Sequence, residues 1–337
     1  MINVGIVGFG KMGMLHGALL NGSKKAKVIA ICEKSLFMRV IFKKVYKEVK
    51  CYENLDKMLS ENKIDLLVIT TPSFNHVESA IAGIKNNCSI FVEKPLSSNL
   101  EDASKLNEIA KNNNAKVQVG FCNRFCPSIR EGHDFIKKEI LGEIESVNAI
   151  MYIADVFEEH DGWRYKKELS GGGVLIDFGI HMIDLLYWYF GEVDQLSAKS
   201  NRIYSKEVED EVYADIYFKK GMSVNFSTSW SKAEYRKSFS KIEIVGTNAT
   251  MIVTDQTLEI LYKDGERKFY TYPELYNGSF MDIGGLLYSK QIEELLDYYI
   301  SNKKPLNTIE NSLYVQNIVE LMYQSAKNDG KILKVEK

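Results

Sequence analysis

Over the first 120 residues, short apolar runs rich in β-branched residues take turns with helical patterns, and this alternation leaves few folds open. The strand-like runs are INVGIVG (2–8), KVIAIC (27–32), IDLLVIT (64–70), CSIFVE (88–93) and KVQVG (116–120). Each is nearly continuous in apolar residues, as a strand must be when both faces of its sheet are covered. Between them lie KMGMLHGALLNG, LFMRVIFKKVYK, NLDKMLSEN, NHVESAIAGIKNN and NLEDASKLNEIAKNNN, all with helical spacing. The last two end in Asn pairs, which tolerate a left-handed cap. Strand and helix in alternation predict parallel βαβ units in a doubly wound α/β sheet.

The pattern changes after residue 120. A helix is predicted over 127–139, with Pro127 in its first turn. Longer alternating strands follow at 143–154, 195–204, 211–218, 222–230, 240–246, 249–254, 257–263 and 266–272, and the spacers KKG, GTN and KDG are hairpin signals. Helices over about 284–301 and 309–328 close the chain. A length of 337 residues suits two domains. The division predicted is a nucleotide-binding domain at 1–122 and an α+β domain at 123–337 with a large open, mainly antiparallel sheet, the final helices being free to pack back on the first domain. Too few helices remain to cover both faces of the second sheet. An open face carrying VNFSTSW and TMIVT is a patch that monomers avoid, so a homodimer or homotetramer joined through that sheet is predicted.

VGIVGFGKMG places Gly8, Gly10 and Gly13 as G-x-G-x-x-G directly after the first strand and at the start of a helix. That context is the one a dinucleotide site requires. Gly8 permits the turn, Gly10 lets backbone approach a pyrophosphate, and Gly13 lets helix and strand pack closely. With Phe9, Lys11 and Met12 they form the predicted phosphate loop at a helix N-terminus, where N–H groups and the dipole favour anions. Glu33 ends the second strand about 20 residues on, in position to accept hydrogen bonds from the adenosine ribose. It would repel a 2′-phosphate, so NAD is favoured over NADP, with Lys34 and Arg39 nearby working against that preference. Thr70, Thr71, Pro72, Asn75 and His76, in TTPSFNH, follow the third strand at the sheet edge where ligands bind in open α/β folds.

FVEKPLS sets Glu93, Lys94 and Pro95 at the end of another parallel strand. A lysine there stabilises an alkoxide as hydride leaves. In SGGGVLIDFGIHMIDLLYW (170–188), Asp177, His181 and Asp184 stand at i, i+4 and i+7, one face of a helix, inside a run that is otherwise apolar. Charges in such a place are normally paired or used. No fourth ligand completes a metal set for these three, and Cys122 and Cys126 lack a second Cys/His pair, so no metal is predicted.

GFGKMG, TTPSFNH, VEKPLS and GGGVLIDFGIHMIDLL, in that order, closely resemble the glucose–fructose oxidoreductase / inositol dehydrogenase / rhizopine-catabolism (Gfo/Idh/MocA) family over essentially the whole chain. The resemblance implies a Rossmann domain, a second domain on an open antiparallel sheet, and NAD(P)-dependent hydride transfer at a secondary alcohol or ketone of sugars, cyclitols or nucleotide sugars. It implies that Lys94, Asp177 and His181 are catalytic and touch substrate. His181 is then the general base, a role suited to the ordinary histidine pKa, and Asp177 orients it or contacts substrate. Asp184 reads as structural. Glu93 and Lys94 would border the cofactor, as would Arg124 and the pair Trp163 and Arg164 in GWRYKKELSGGG. Tyr152 is placed with the substrate, since tyrosines suit stacking on polyols. The chain departs from the family in GFCNRFCP, where Cys122 and Asn123 replace the usual Asn and first Arg. Two other functions fit the fold: an NAD-assisted glycoside lyase or hydrolase, and a nucleotide-binding sensor without chemistry, which would have lost Lys94 and His181.

A formal net charge of −2 supplies no basic excess for a polyanion, so no nucleic-acid partner is expected. No apolar run is long enough to span a bilayer on this reading, which excludes a membrane partner. Five scattered cysteines, an odd count, suit a reduced cytoplasmic interior.

Overall fold

The computed structural model describes residues 1–272 and 285–336. The chain divides into two compact units. The first comprises Met1–Cys122 and the described part of Tyr276–Leu313; the second comprises Asn123–Leu275, as far as described, and Tyr314–Lys337.

The first unit opens with β1 (Ile2–Val7), α1 (Lys11–Gly22), β2 (Ala26–Cys32), α2 (Leu36–Val45), β3 (Lys50–Tyr52), α3 (Leu55–Glu61) and β4 (Leu66–Ile69). It continues with α4 (His76–Lys85), β5 (Ser89–Val92), α5 (Leu100–Asn112) and β6 (Val117–Val119). All six strands are parallel, in the order β3-β2-β1-β4-β5-β6, the Rossmann order reversing at β1 and β4. Val4, Ile6, Leu66, Val68 and Phe91 are buried in its core. Asn87 and Asn114 take the left-handed conformation beyond α4 and α5, as the Asn pairs predict. β3 has no counterpart among the predicted strands.

The second unit begins with α6 (Pro127–Lys137), β7 (Ile144–Tyr152) and the short α7 (Lys167–Ser170). A five-residue π turn, Leu175–Gly179, then leads into α8 (Ile180–Phe190). Asp177 and His181 therefore do not share a uniform α-helix: Asp177 lies in the widened turn and His181 just beyond it. Then come β8 (Val193–Asn201), β9 (Glu211–Phe218), β10 (Ser223–Ser229), β11 (Phe239–Gly246), β12 (Ala249–Thr254), β13 (Thr257–Tyr262) and β14 (Arg267–Thr271). α9 (Leu286–Ser301) belongs to the first unit, where Ile292, Leu295 and Leu296 join the core. Residue 284, where that helix is predicted to start, lies outside the described residues. α10 (Ile309–Lys327) and β15 (Leu333–Lys334) end the chain. The nine-stranded sheet runs β14-β13-β12-β11-β7-β10-β9-β8-β15 and is antiparallel except where β7 meets β10.

Period-2 alternation divides that sheet cleanly. Val147, Ala149, Met151, Val224, Phe226 and Thr228 are buried on the side where the π turn packs, a Cβ on Gly179 lying within 2.8 Å of Thr228 Cγ2. The residues between them, such as Asn148, Tyr213, Asp215 and Asn225, are exposed on the other side. The expected apolar patch is thus halved: Val224 and Phe226 of VNFSTSW point into the core.

Among the described residues, Lys167–Phe190 is long and apolar enough to cross a membrane, which corrects the expectation that no run is. Its most apolar window is 72% buried inside the protein, as in a core helix. Asp184 of α8 is 1% exposed and lies 2.6 and 2.8 Å from Nη2 and Nε of Arg124, itself 1% exposed. Burial pushes the carboxyl up, and the guanidinium, which keeps its proton, draws it down; two-point donation holds the pair ionised. Asp184→Ala is expected to cost about 3–5 kcal/mol in urea unfolding, because a buried guanidinium loses its partner. The double variant Arg124→Met/Asp184→Leu should lose less than Asp184→Ala alone.

Candidate active site

In a parallel sheet all carboxyl ends share one edge, and the loops that leave it in the first unit carry the predicted ligand residues. Gly8, φ +82°, turns the chain after β1, and a Cβ there would lie 2.9 Å from the Thr70 carbonyl. A Cβ on Gly13 would strike the Gly8 carbonyl oxygen. Gly10 differs, since no protein atom lies within 4 Å of a Cβ placed there. Packing explains Gly8 and Gly13, whereas the space beside Gly10 leaves room for a ligand to approach the backbone. No side chain caps α1, and its first turn holds no acid, which suits an anion at that terminus. The Phe9 side chain packs in the core against Phe42, and Met12 packs against the same cluster, so both serve the loop through their backbone. Lys11 is exposed.

Glu33 accepts the Phe9 N–H at 2.7 Å through one oxygen and the Ser35 N–H at 2.7 Å through the other. An ionised carboxylate has about four lone-pair sites, so two remain for ribose hydroxyls. The Arg39 guanidinium donates to the carbonyls of Glu33 and Lys34 at 2.8 and 2.7 Å and meets Glu53 at 3.0 Å. These bonds hold the guanidinium against the protein and so weaken its expected pull on a 2′-phosphate.

The Thr70 hydroxyl donates to the Gly8 carbonyl at 2.6 Å, tying the loop after β4 to the glycine turn. Thr71, Pro72 and Asn75 are half-buried beside it. His76 and Glu93 depart from the predicted cofactor contacts. His76 is 1% exposed, with its two ring nitrogens against the Pro95 and Thr71 carbonyls. Glu93 is buried against His16 and the Lys94 N–H. Lys94, half-buried, follows β5 on a cis peptide to Pro95. Cys122 is buried and hydrogen-bonded to Tyr288; burial, then Glu93, pushes its thiol up to about 12, which disfavours the thiolate.

In the second unit, Asp177 and His181 are half-buried. Arg164 reaches one Asp177 oxygen from Nη2 at 2.6 Å and Nε at 3.1 Å, and Asp155 at 3.4 Å. Trp163 is partly exposed beside it. The helix start is capped by Glu209, which accepts the N–H groups of Gly173 and Leu175 at 2.9 and 3.0 Å. Arg124, expected at the cofactor, is committed to Asp184 inside the core. Tyr152 is also misplaced by the sequence. Its hydroxyl meets Ser227 Oγ at 2.5 Å on the open side of the sheet, opposite the side on which the turn bearing Asp177 packs. Strand parity decides this. His16, Asp155, Glu209 and Tyr288 were not predicted.

Residues 2–121 match the family model described as oxidoreductase family, NAD-binding Rossmann fold, and residues 129–252 match the Gfo/Idh/MocA C-terminal domain. The chain belongs to the Gfo/Idh/MocA family. This member is an NAD-binding oxidoreductase, and the loop around Gly10 fits that cofactor. It is 27% identical to glucose-6-phosphate 3-dehydrogenase of Bacillus subtilis (strain 168) over 73% of this chain and 72% of the relative. It is 22% identical to D-glucoside 3-dehydrogenase of Escherichia coli (strain K12) over 98% and 97%. A solved levoglucosan dehydrogenase, in complex with NADH and levoglucosan, superposes with a TM-score of 0.88 at 21% identity, over 99% of both chains; at that identity the likeness is one of fold.

From Glu33 and the commitment of Arg39, this family member should bind NADH more tightly than NADPH, by about 1–3 kcal/mol for a like-charge contact in a half-buried site. Nucleotide fluorescence titration measures both dissociation constants. Tighter NADPH binding would make Lys34 the dominant group.

Proposed function

We propose that the protein oxidises a secondary alcohol on a sugar or cyclitol ring, or reduces the matching ketone, with NAD(H). The observation that carries this reading is the placement of Lys94 on the same sheet edge as the Gly8–Gly13 turn, in a chain whose relatives include enzymes named for glucose 6-phosphate, glucosides and myo-inositol. When bound, the cofactor supplies the hydride acceptor. Gly8–Gly13 and Glu33 hold the dinucleotide. His181 takes the hydroxyl proton, and the Lys94 ammonium stabilises the alkoxide. Asp177, neutralised by Arg164, orients the substrate or the imidazole. Glu93, His76, Arg124 and Tyr152 leave the set of direct contacts.

The open sheet face suits a homodimer or homotetramer. Tyr213 and Tyr217 supply its aromatic surface, and Asp215 and Asn225 its polar one. The five thiols, none in a disulfide, suit a reducing interior.

A panel of myo-inositol, glucose 6-phosphate, methyl glucosides and levoglucosan, followed at the NADH absorbance band, tests the reading. Turnover of a glycoside without net NADH would favour the lyase or hydrolase chemistry. His181→Ala is expected to lower kcat by about 10²–10⁴-fold and Lys94→Ala by about 10²–10³-fold, both with NADH affinity nearly unchanged. Near-normal turnover in His181→Ala would return Asp177 and His181 to core structure.

A further inference from the structure

Two buried histidines stand on either side of Lys94, and neither has a part in the chemistry proposed above. His16, on α1, is fully buried, and its Nε2 lies 2.6 Å from Glu93 Oε1. The second Glu93 oxygen accepts the Lys94 N–H at 3.2 Å. A Cβ on Gly120 would lie 2.9 Å from that same oxygen, so the carboxylate is wedged in place. The ring of His16 meets Phe91 edge to face at 5.0 Å. Among the described residues its Nδ1 has no hydrogen-bond partner, and because the Glu93 carboxylate accepts, the proton of their bond sits on Nε2.

His76, at the start of α4, holds the other flank. Its Nδ1 lies 2.8 Å from the Pro95 carbonyl and its Nε2 2.9 Å from the Thr71 carbonyl. Both partners only accept, so each bond needs a ring N–H, and the ring joins the loop after β4 to the loop after β5. Burial pushes its pKa down; the two carbonyls and Glu93 draw it up, and Lys94 pushes it down again. A neutral ring donates to one of the two carbonyls at a time, and a protonated ring donates to both.

We infer that His16 and His76 are positioning residues that clamp the backbone on both sides of Lys94, through the Glu93 carboxylate and the Pro95 carbonyl, and so fix where the ammonium is presented. This rests on the reading of Lys94 as the alkoxide's electrostatic partner. Fixing it matters because misplacing a catalytic group by about 1 Å costs on the order of 10²-fold. The Thr71 link has a separate consequence, since it holds the backbone of the loop beside the glycine turn.

Asparagine places a donor near the Nδ1 position and glutamine near the Nε2 position, so the two bonds of His76 can be separated. His76→Asn should keep kcat and weaken NADH binding. His76→Gln should keep NADH binding and lower kcat about 10- to 100-fold. His16→Gln, which restores a donor to Glu93, should retain activity that His16→Leu loses. Amide hydrogen exchange of the peptide spanning 91–98, measured with NADH bound, needs no substrate and should rise in His76→Gln and His16→Leu. In a Lys94→Ala background, the same changes should add no further loss of kcat. Unchanged exchange in both variants, or an undiminished kcat loss in that background, overturns the clamp. Lys94→Ala turning over at the wild-type rate would instead contradict the role of Lys94, and the clamp would then position nothing.

Discussion

In the first unit every strand runs in the same direction, so every loop that follows a strand leaves from one edge, and the backbone groups there must be satisfied by one another. The Glu33 carboxylate binds the amide of Phe9, the Thr70 hydroxyl binds the carbonyl of Gly8, and His76 spans the carbonyls of Thr71 and Pro95. These bonds chain the loops after β1, β2, β4 and β5 into one frame. Glu33 braces the glycine turn with one bond from each carboxylate oxygen and keeps lone pairs to spare.

The second unit solves a related problem with two acids on one helical segment. Asp184, deep in α8, is matched by Arg124 and stays with the fold. Asp177, in the widened turn, is matched by Arg164 near the surface, where side chains are 28% and 38% exposed. A π turn leaves the carbonyl ladder one residue out of step, a feature frequent at functional sites. Here it falls between the Glu209-capped start and His181. Burial commits the Arg124–Asp184 pair to stability, whereas the Arg164–Asp177 pair stays partly exposed.

Element type was legible almost throughout, because runs covered on both faces and runs covered on one face differ in period. β3 (Lys50–Tyr52) and β15 (Leu333–Lys334) escaped because each begins or ends on a lysine and neither carries an apolar run. The glycine turn was legible since its spacing is the chemistry itself. Tyr152 was misread because the side a strand residue takes depends on a helix far along the chain. Arg124 was misread because its partner lies 60 residues away. His16 and His76 gave a weaker signal: each is one imidazole on a helix. What distinguishes them is an acceptor on a loop 77 and 19 residues away, respectively.

The account stands on net hydride transfer between a carbinol carbon and the nucleotide held at the Gly8–Gly13 turn. The direct measurement uses an alcohol from the panel deuterated at its ring carbinol carbons, NAD+ and the wild-type protein, with mass spectrometry of the nucleotide at the end. The account predicts one deuterium in each reduced nicotinamide, formed one for one with ketone. Substrate consumed with no labelled, reduced nucleotide accumulating would contradict it.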